Sequence, residues 1–501
     1  MRLNVKACEP TQLAVWAVCL SAIACAAASL SWKIVHDTPV MLYQANLMVA
    51  HGQMPYRDFF CINMPGALWA YAGLIRLFGL SDMALHVANA MLVGIIVALT
   101  CLAFPREQRM SGGLFAAGIG ALRIYSGESY FILQRELLAL VPLSAIACVG
   151  LRRPLKGLWN DGVLGVLVGS LVLVKPQFVL FGLPAFILLW MDGRTWGERI
   201  RAAVVTGAFF ALPLLLCAVW LYRNGAIPRF YETVTYWTLY GQMTQSFTFL
   251  PPAERGRVVL RLTAGMLFSP YTAAVLAALV LVWRERLLER RELVFWGSVP
   301  VIALLVLGLC GQFWGYHKLP FFFFSLVIAS RLICCRKLGK WLAIVMAAAW
   351  IPFSAQRVWR ETTEPSVVRL KQGVAESFRK HLQGTLKPGE TVQPMDWTYA
   401  ALHAMLLVDA PPATRFLEYS YFLHNVSHPL IRGFRKEFMV QLNDRPPRFI
   451  LEARAQNWPK GLDTESHFVE FETWRDTHYR VAGEAQAYRI WEYHIPDTSS
   501  K

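Results

Sequence analysis

The chain is expected to be a polytopic α-helical membrane protein, with about eleven spans followed by a mixed α/β domain. Three observations lead there. Of 501 residues, 55% are hydrophobic and only 16% charged, with a mean hydropathy of +0.39. A soluble domain of this length does not need so much apolar surface. Long apolar runs recur through residues 1–353, separated by short basic connectors. Through residues 354–501 the long runs stop and charges become dense.

Residues 11–32 form the first run, after a short head carrying Arg2 and Lys6. Ala24-Cys25-Ala26-Ala27-Ala28 offers small residues for signal cleavage, but the run is long enough to be a retained helix. Residues 67–79, interrupted by Arg76, are short for a span and indicate a juxtamembrane helix. Further spans are expected at 83–104, 111–126, 137–150, 162–174, 177–191, 203–222, 262–283, 293–311, from Pro320 to just before Arg336, and 341–353.

The connectors after the second, fourth, sixth, eighth and tenth spans are basic: Arg106 and Arg109; Arg152, Arg153 and Lys156; Arg194, Arg199 and Arg201; Arg284, Arg286, Arg290 and Arg291; Arg336, Lys337 and Lys340. The positive-inside rule puts them in the cytoplasm with the N-terminus. The stretch 36–66, the turn 127–136, Lys175, the aromatic-rich loop 223–261, residues 315–320 and the C-terminal domain then share the outer face. Topology therefore accounts for the net charge of +16, and no nucleic-acid partner is expected.

Ten cysteines are present, most of them in or beside apolar runs and none after Cys335. Their spacing is not that of a metal site, so no tightly held metal is expected, although one carboxylate-bound ion is still allowed. The C-terminal domain, about 145 residues, has no disulfide framework and needs its own core. Strands are expected at 414–417, 448–451 and 488–491, with a helix at 366–382.

The stretch 36–66 is more than a connector. Asp37 and Asp58 occur there beside His36, His51, Arg57 and Asn63. Met41, Leu42, Ala45, Leu47, Met48 and Val49 fall at roughly helical spacing, which predicts a short amphipathic helix at the membrane surface. Gly52-Gln53-Met54-Pro55 ends it, and Pro65-Gly66 opens the next run.

Asp37, Tyr43, Ala45, Gly52, the string Pro55-Tyr56-Arg57-Asp58-Phe59, Pro65-Gly66 and Phe78-Gly79 together resemble the first outer loop of GT-C superfamily membrane glycosyltransferases. The likeness is to the family-39-like branch, which includes protein O-mannosyltransferases and the lipid A aminoarabinose transferase. The mannosyltransferase pattern has Asp-Glu where this chain has Asp37-Thr38. The resemblance implies a GT-C-like architecture and a sugar donor carried on polyprenyl phosphate. It also implies a catalytic acid at the start of this loop. Tyr316-His317 followed by Pro320 is similar to a Tyr-His…Pro string of the same transferases.

Glycosyl transfer from a lipid phosphate needs a base near the acceptor hydroxyl and cations near the phosphate, but no strong acid. Asp37 is the candidate base; its structural alternative is to cap the helix that follows, a task Thr38 performs equally well. Asp58 is either a second acid or the local partner of Arg57, and Arg57 is itself a candidate phosphate ligand. Lys175 ends an apolar span, either snorkelling or binding phosphate. His317 and Lys318 are candidate phosphate ligands, with interfacial anchoring by Trp314, Tyr316 and Lys318 as the alternative. Arg135 and Glu136 either neutralise one another or line the cavity. His36, Tyr43, His51, Asn63 and Tyr316 complete the candidate cavity and acceptor contacts.

The expected function is inverting transfer of a sugar from a polyprenyl-phosphate donor to a periplasmic lipid, glycan or protein at the bacterial inner membrane. No cofactor is expected, and the absence of a Gly-rich phosphate loop argues against a nucleotide-sugar or ATP user. Two alternatives stay open: a lipid-linked sugar transporter or flippase, and an undecaprenyl-diphosphate glycan ligase or polymerase. Against the first stands the absence of a clear internal repeat, together with the gathering of polar residues at one face.

Overall fold

The computed structural model describes residues 9–152, 157–191, 194–244, 247–334, 338–365, 372–396, 399–454 and 459–494. Arg2, Lys6, Arg153, Lys156, Arg336, Lys337, Cys335 and residues 366–371 of the expected helix lie outside them.

Among the described residues, six helices are long and apolar enough to cross a membrane: Gln12–Ser29, Asp82–Leu102, Trp196–Arg223, Arg290–Cys310, Tyr316–Cys334 and Gly339–Thr363. Leu158–Val174, Pro176–Met191 and Val275–Arg284 are shorter apolar helices. Leu114–Tyr125 and Arg135–Arg152 occupy the expected third and fourth spans. The molecule is thus a polytopic helical membrane protein.

Three expectations change in the helical part. The eighth span is not continuous: helix Pro252–Leu267 stops, and Pro270–Arg284 restarts with Ser269 accepting from the Thr272 amide. Pro270 lacks the N–H a continuous helix would need and suits a first turn instead. The eleventh span runs on to Thr363 without a break, so residues 353–354 lie inside a helix. The first-loop helix is real, Thr38–Val49, but it is buried along ten of its twelve residues and does not lie flat on a surface. It is covered on one side by helix Pro65–Phe78 and on the other by helix Ala400–Val408.

The C-terminal region builds a four-stranded sheet in the order Val392–Met395, Phe449–Ala453, Tyr488–Tyr493, Tyr479–Ala485. The first pair is parallel and the others antiparallel, with Ile450 opposite Trp491. Residues 414–417 do not form a strand. Thr414 Oγ1 donates to Gln393 Oε1 (2.9 Å) and accepts from the Phe416 amide, so a side chain takes the place of a ladder bond.

Alternation along the central strand separates two cores. Phe449 and Leu451 join the core shared with the membrane helices. Ile450 faces an aromatic core with Phe416, Phe422, Phe434 and Phe438. Into that second core the first loop inserts Phe60, and helix Ile227–Tyr240 inserts Tyr236. Polar contacts reinforce this docking. The Phe60 amide donates to Arg415 O (2.7 Å), Tyr43 Oη to Ala410 O (2.6 Å) and Asn46 Nδ2 to Asp409 Oδ1 (2.8 Å). Arg415 pairs with Glu232 and Glu437.

Phe60 is fully buried, in edge contact with Tyr236, Tyr421 and Phe434. Phe60→Ala is expected to cost about 3–5 kcal/mol through the cavity it leaves. A lowered thermal midpoint in detergent, with earlier proteolytic release of the C-terminal domain, checks this.

Candidate active site

Where the first loop, the bundle and the C-terminal domain meet is a cavity of about 360 Å³. His36, Asp37 and Asn63 come from the first loop, Arg135 from the start of its helix, and Lys175 from the break between helices Leu158–Val174 and Gly182–Met191. Tyr316 and His317 come from the turn before helix Leu319–Ser330, and Tyr240 from the end of helix Ile227–Tyr240. The C-terminal domain adds Tyr399 and Glu418.

Asp37 stands at the N-cap position of its helix, yet its side chain accepts no capping bond. Thr38 does not cap the helix either; its hydroxyl donates to Ile132 O (2.8 Å). The Asp37 carboxylate is thereby left to the cavity. Tyr316 Oη donates to Oδ2 (2.8 Å), and His36 Nδ1 lies 2.8 Å from Oδ1, a charge contact when the ring is protonated, without hydrogen-bond alignment. Burial opposes the Asp37 charge, but His36, Arg135 and the Tyr316 hydroxyl outweigh it and hold the carboxyl well below the usual carboxylate range. His36 has a φ of 62°, the left-handed region that a β-substituted residue adopts only when its surroundings compel it.

Arg135 Nη1 donates to Asn63 Oδ1 (2.7 Å), while its buried Nε has no hydrogen-bond partner among the described residues. Lys175 Nζ donates to Glu136 Oε1 (2.7 Å), and His317 Nε2 lies 3.7 Å from the same oxygen. Glu136 does not line the cavity; it is buried behind it and ties Lys175 and His317 together. Arg135 and Lys175 set two positive charges against the negative charges of Glu136 and Asp37, and both cations face the cavity, where an anion can meet them.

The other sequence candidates lie elsewhere. Asp58 is gripped by Arg57 through both its oxygens (2.7 and 2.8 Å) and accepts from the Met54 amide (2.7 Å). Arg57 also donates to Asn224 O (3.0 Å) and borders a separate cavity with Arg76. The local ion pair is therefore the arrangement adopted by these two neighbours, and neither reaches the Asp37 cavity. Tyr43 and His51 bind the C-terminal domain, His51 through Asp409 (2.8 Å). Lys318 is half-buried and not part of the cavity wall.

Sequence reasoning missed Glu418, Tyr399 and Gln312, and did not assign the aromatic loop to the cavity, which Trp237 and Tyr240 line. Glu418 had one signal, an acid inside the apolar and aromatic run Phe416-Leu417-Glu418-Tyr419-Ser420-Tyr421-Phe422. Among the described residues, no group of three or more His, Cys, Asp or Glu side chains is arranged to hold a metal ion.

No family model matches the chain, and no curated protein sequence matches it. Solved structures do. The chain is similar to ArnT from Cupriavidus metallidurans in the apo state, with a TM-score of 0.59 and 12% identity over 97% of this chain and 98% of that one. The structure of ArnT bound to undecaprenyl phosphate matches with a TM-score of 0.57 and 13% identity over 96% and 98%. The fold is thus shared with ArnT along nearly the whole length of both chains.

Removing one partner of a buried ion pair leaves the other charge uncompensated. Lys175→Met is expected to destabilise the protein by about 3–5 kcal/mol. Adding Glu136→Gln is expected to restore much of the loss, a coupling that a double-mutant cycle on thermal unfolding measures.

Proposed function

We propose that the protein is an inverting glycosyltransferase that moves a sugar from a polyprenyl-phosphate carrier to an acceptor hydroxyl. One observation carries this: an ionised, uncapped Asp37 carboxylate and a wall holding the cations Arg135 and Lys175 beside the His317 ring face one cavity. The fold shared with ArnT, which has been solved with undecaprenyl phosphate, supports a lipid phosphate as ligand.

The phosphate meets Arg135, Lys175 and His317, and the polyprenyl tail leaves between helices. The acceptor oxygen attacks the anomeric carbon as the carbon–oxygen bond to phosphate breaks. That electron pair goes to the phosphate, and the acceptor proton goes to Asp37. The products are the glycosylated acceptor and polyprenyl phosphate. No acid is needed for so good a leaving group, and the reaction as proposed uses no cofactor.

A carboxylate held so acidic is a weak base at the outset. Its first task is electrostatic, stabilising the positive charge of an oxocarbenium-like transition state. Proton transfer follows once bond formation has made the acceptor oxygen acidic. A single displacement needs no nucleophilic second carboxylate. Asp58, locked to Arg57, is given no role in the chemistry.

The chain is assigned to the bacterial inner membrane, with a cytoplasmic N-terminus and the cavity and C-terminal domain on the periplasmic side. The acceptor is a periplasmic lipid, glycan or protein.

Turnover of a panel of undecaprenyl-phosphate sugars by purified protein tests the proposal. The wild type is expected to consume one donor, and Asp37→Asn to lose about 10²–10⁴-fold while still binding it. Asp58→Asn is expected to keep turnover near wild type with a lower thermal midpoint. Binding without consumption by the wild type would favour a transporter.

A further inference from the structure

Glu418 reaches the cavity from the C-terminal domain, with only 5% of the residue exposed. The Tyr421 hydroxyl donates to its Oε1, and the Tyr399 hydroxyl to its Oε2 (3.2 Å). Among the described residues no Lys, Arg or His forms an ion pair with it, unlike Glu136 behind the phosphate wall. With Ser420 as a third donor, three of the about four hydrogen bonds a carboxylate accepts are taken, and one place is left for a ligand. Tyr240, Trp237 and Trp314 line the same cavity and offer aromatic faces. Carboxylate oxygens for hydroxyls, and negative ring faces for the C–H side, are the two surfaces a sugar ring needs.

We propose that Glu418, with Tyr399, holds hydroxyls of the donor's sugar ring, making the C-terminal domain a wall of the donor site and a determinant of sugar specificity. This rests on the glycosyltransferase function above. Glu418 and Asp37 lie close enough for each charge to act on the other, which suits a ring placed between them.

Burial, then the Asp37 charge, push the Glu418 carboxyl up to about 7 against the Tyr421, Tyr399 and Ser420 hydrogen bonds. The titratable groups facing it are Asp37 and Cys61 from the first loop, Tyr236 and Tyr240 from helix Ile227–Tyr240, and Tyr399 and Tyr421 of its own domain. Asp37 is held ionised, while burial keeps the thiol and phenols protonated. Glu418 is the member of this set that changes charge near neutrality.

The test compares wild type with Glu418→Gln, full length in detergent, for binding of bare undecaprenyl phosphate and of the undecaprenyl-phosphate sugar that turns over. Glu418→Gln is expected to weaken the sugar lipid about tenfold, the loss of one charge-assisted hydrogen bond. It is expected to leave the bare lipid unchanged. The wild type's preference for the sugar lipid is expected to grow as pH rises through about 7, and the variant's to stay flat. Unchanged binding of the sugar lipid overturns the proposal, as does equal weakening of both lipids. So does a raised acceptor KM with donor binding intact. If the wild type binds neither lipid, the glycosyltransferase function itself fails.

A thermal midpoint separates structure from recognition. Unfolded, Glu418 loses its proton near 4.5; folded, near 7. The folded state therefore binds more protons between these values, and stability falls as pH rises through them. Glu418→Gln is expected to match or exceed the wild-type midpoint at pH 8. A clearly lower midpoint marks a structural residue and overturns the proposal.

Discussion

A carboxylate taken largely out of water must be matched by positive charge and hydrogen bonds, or it takes up a proton. Asp37 is 17% exposed as a side chain and remains ionised because Tyr316, His36 and Arg135 surround it. Those residues come from three separate parts of the chain. His36 holds a left-handed conformation, Arg135 opens one membrane helix and Tyr316 precedes another. The helix Thr38–Val49, buried between the bundle and the C-terminal domain, keeps Asp37 at its end from relaxing away. Docking of the C-terminal domain is thus part of what keeps this charge in place.

Much of the candidate site was legible because charge is expensive in an apolar chain. Asp37, Arg135, Lys175, Tyr316 and His317 stand out in the sequence as polar residues at span ends, assigned to one face, and the fold brings all five to one cavity. Asp58 and Arg57 stood out equally, but adjacent opposite charges satisfy each other locally, and only geometry decides between pairing and function. The surface placement of the first-loop helix failed for a related reason. Its apolar positions do not form a narrow stripe, and a domain more than three hundred residues downstream covers it. Polar Gln44 and Asn46, seemingly fit for solvent, bond Asn63 and Asp409 instead. Glu418 was hidden by distance: nothing near it in sequence says which cavity it faces.

The break at Ser269-Pro270 was legible only in hindsight, since hydropathy averages over a turn that two residues dictate. The strand expected at 414–417 failed because Thr414 and Gln393 bond each other. In both cases a short polar side chain overrode the apolar pattern around it.

Glu136 presents a physical question: why an anion sits behind a wall meant for phosphate. Without it, Arg135 and Lys175 would repel one another in a poorly solvated pocket empty of ligand. With it, two cations and one anion leave a single positive charge, and His317 holds a proton site 3.7 Å from Glu136. A donor phosphodiester carries one negative charge and meets both cations of this wall. The phosphate monoester produced carries about 1.5 to 2 at neutral pH. On the proposed reaction the extra charge appears just as Asp37 gains the acceptor proton and loses its own, so the cavity's net charge is conserved through the bond-breaking step. The cost falls afterwards. Once Asp37 returns its proton to solvent, the cavity holds one negative charge more than it did with donor, and that imbalance favours departure of the lipid phosphate.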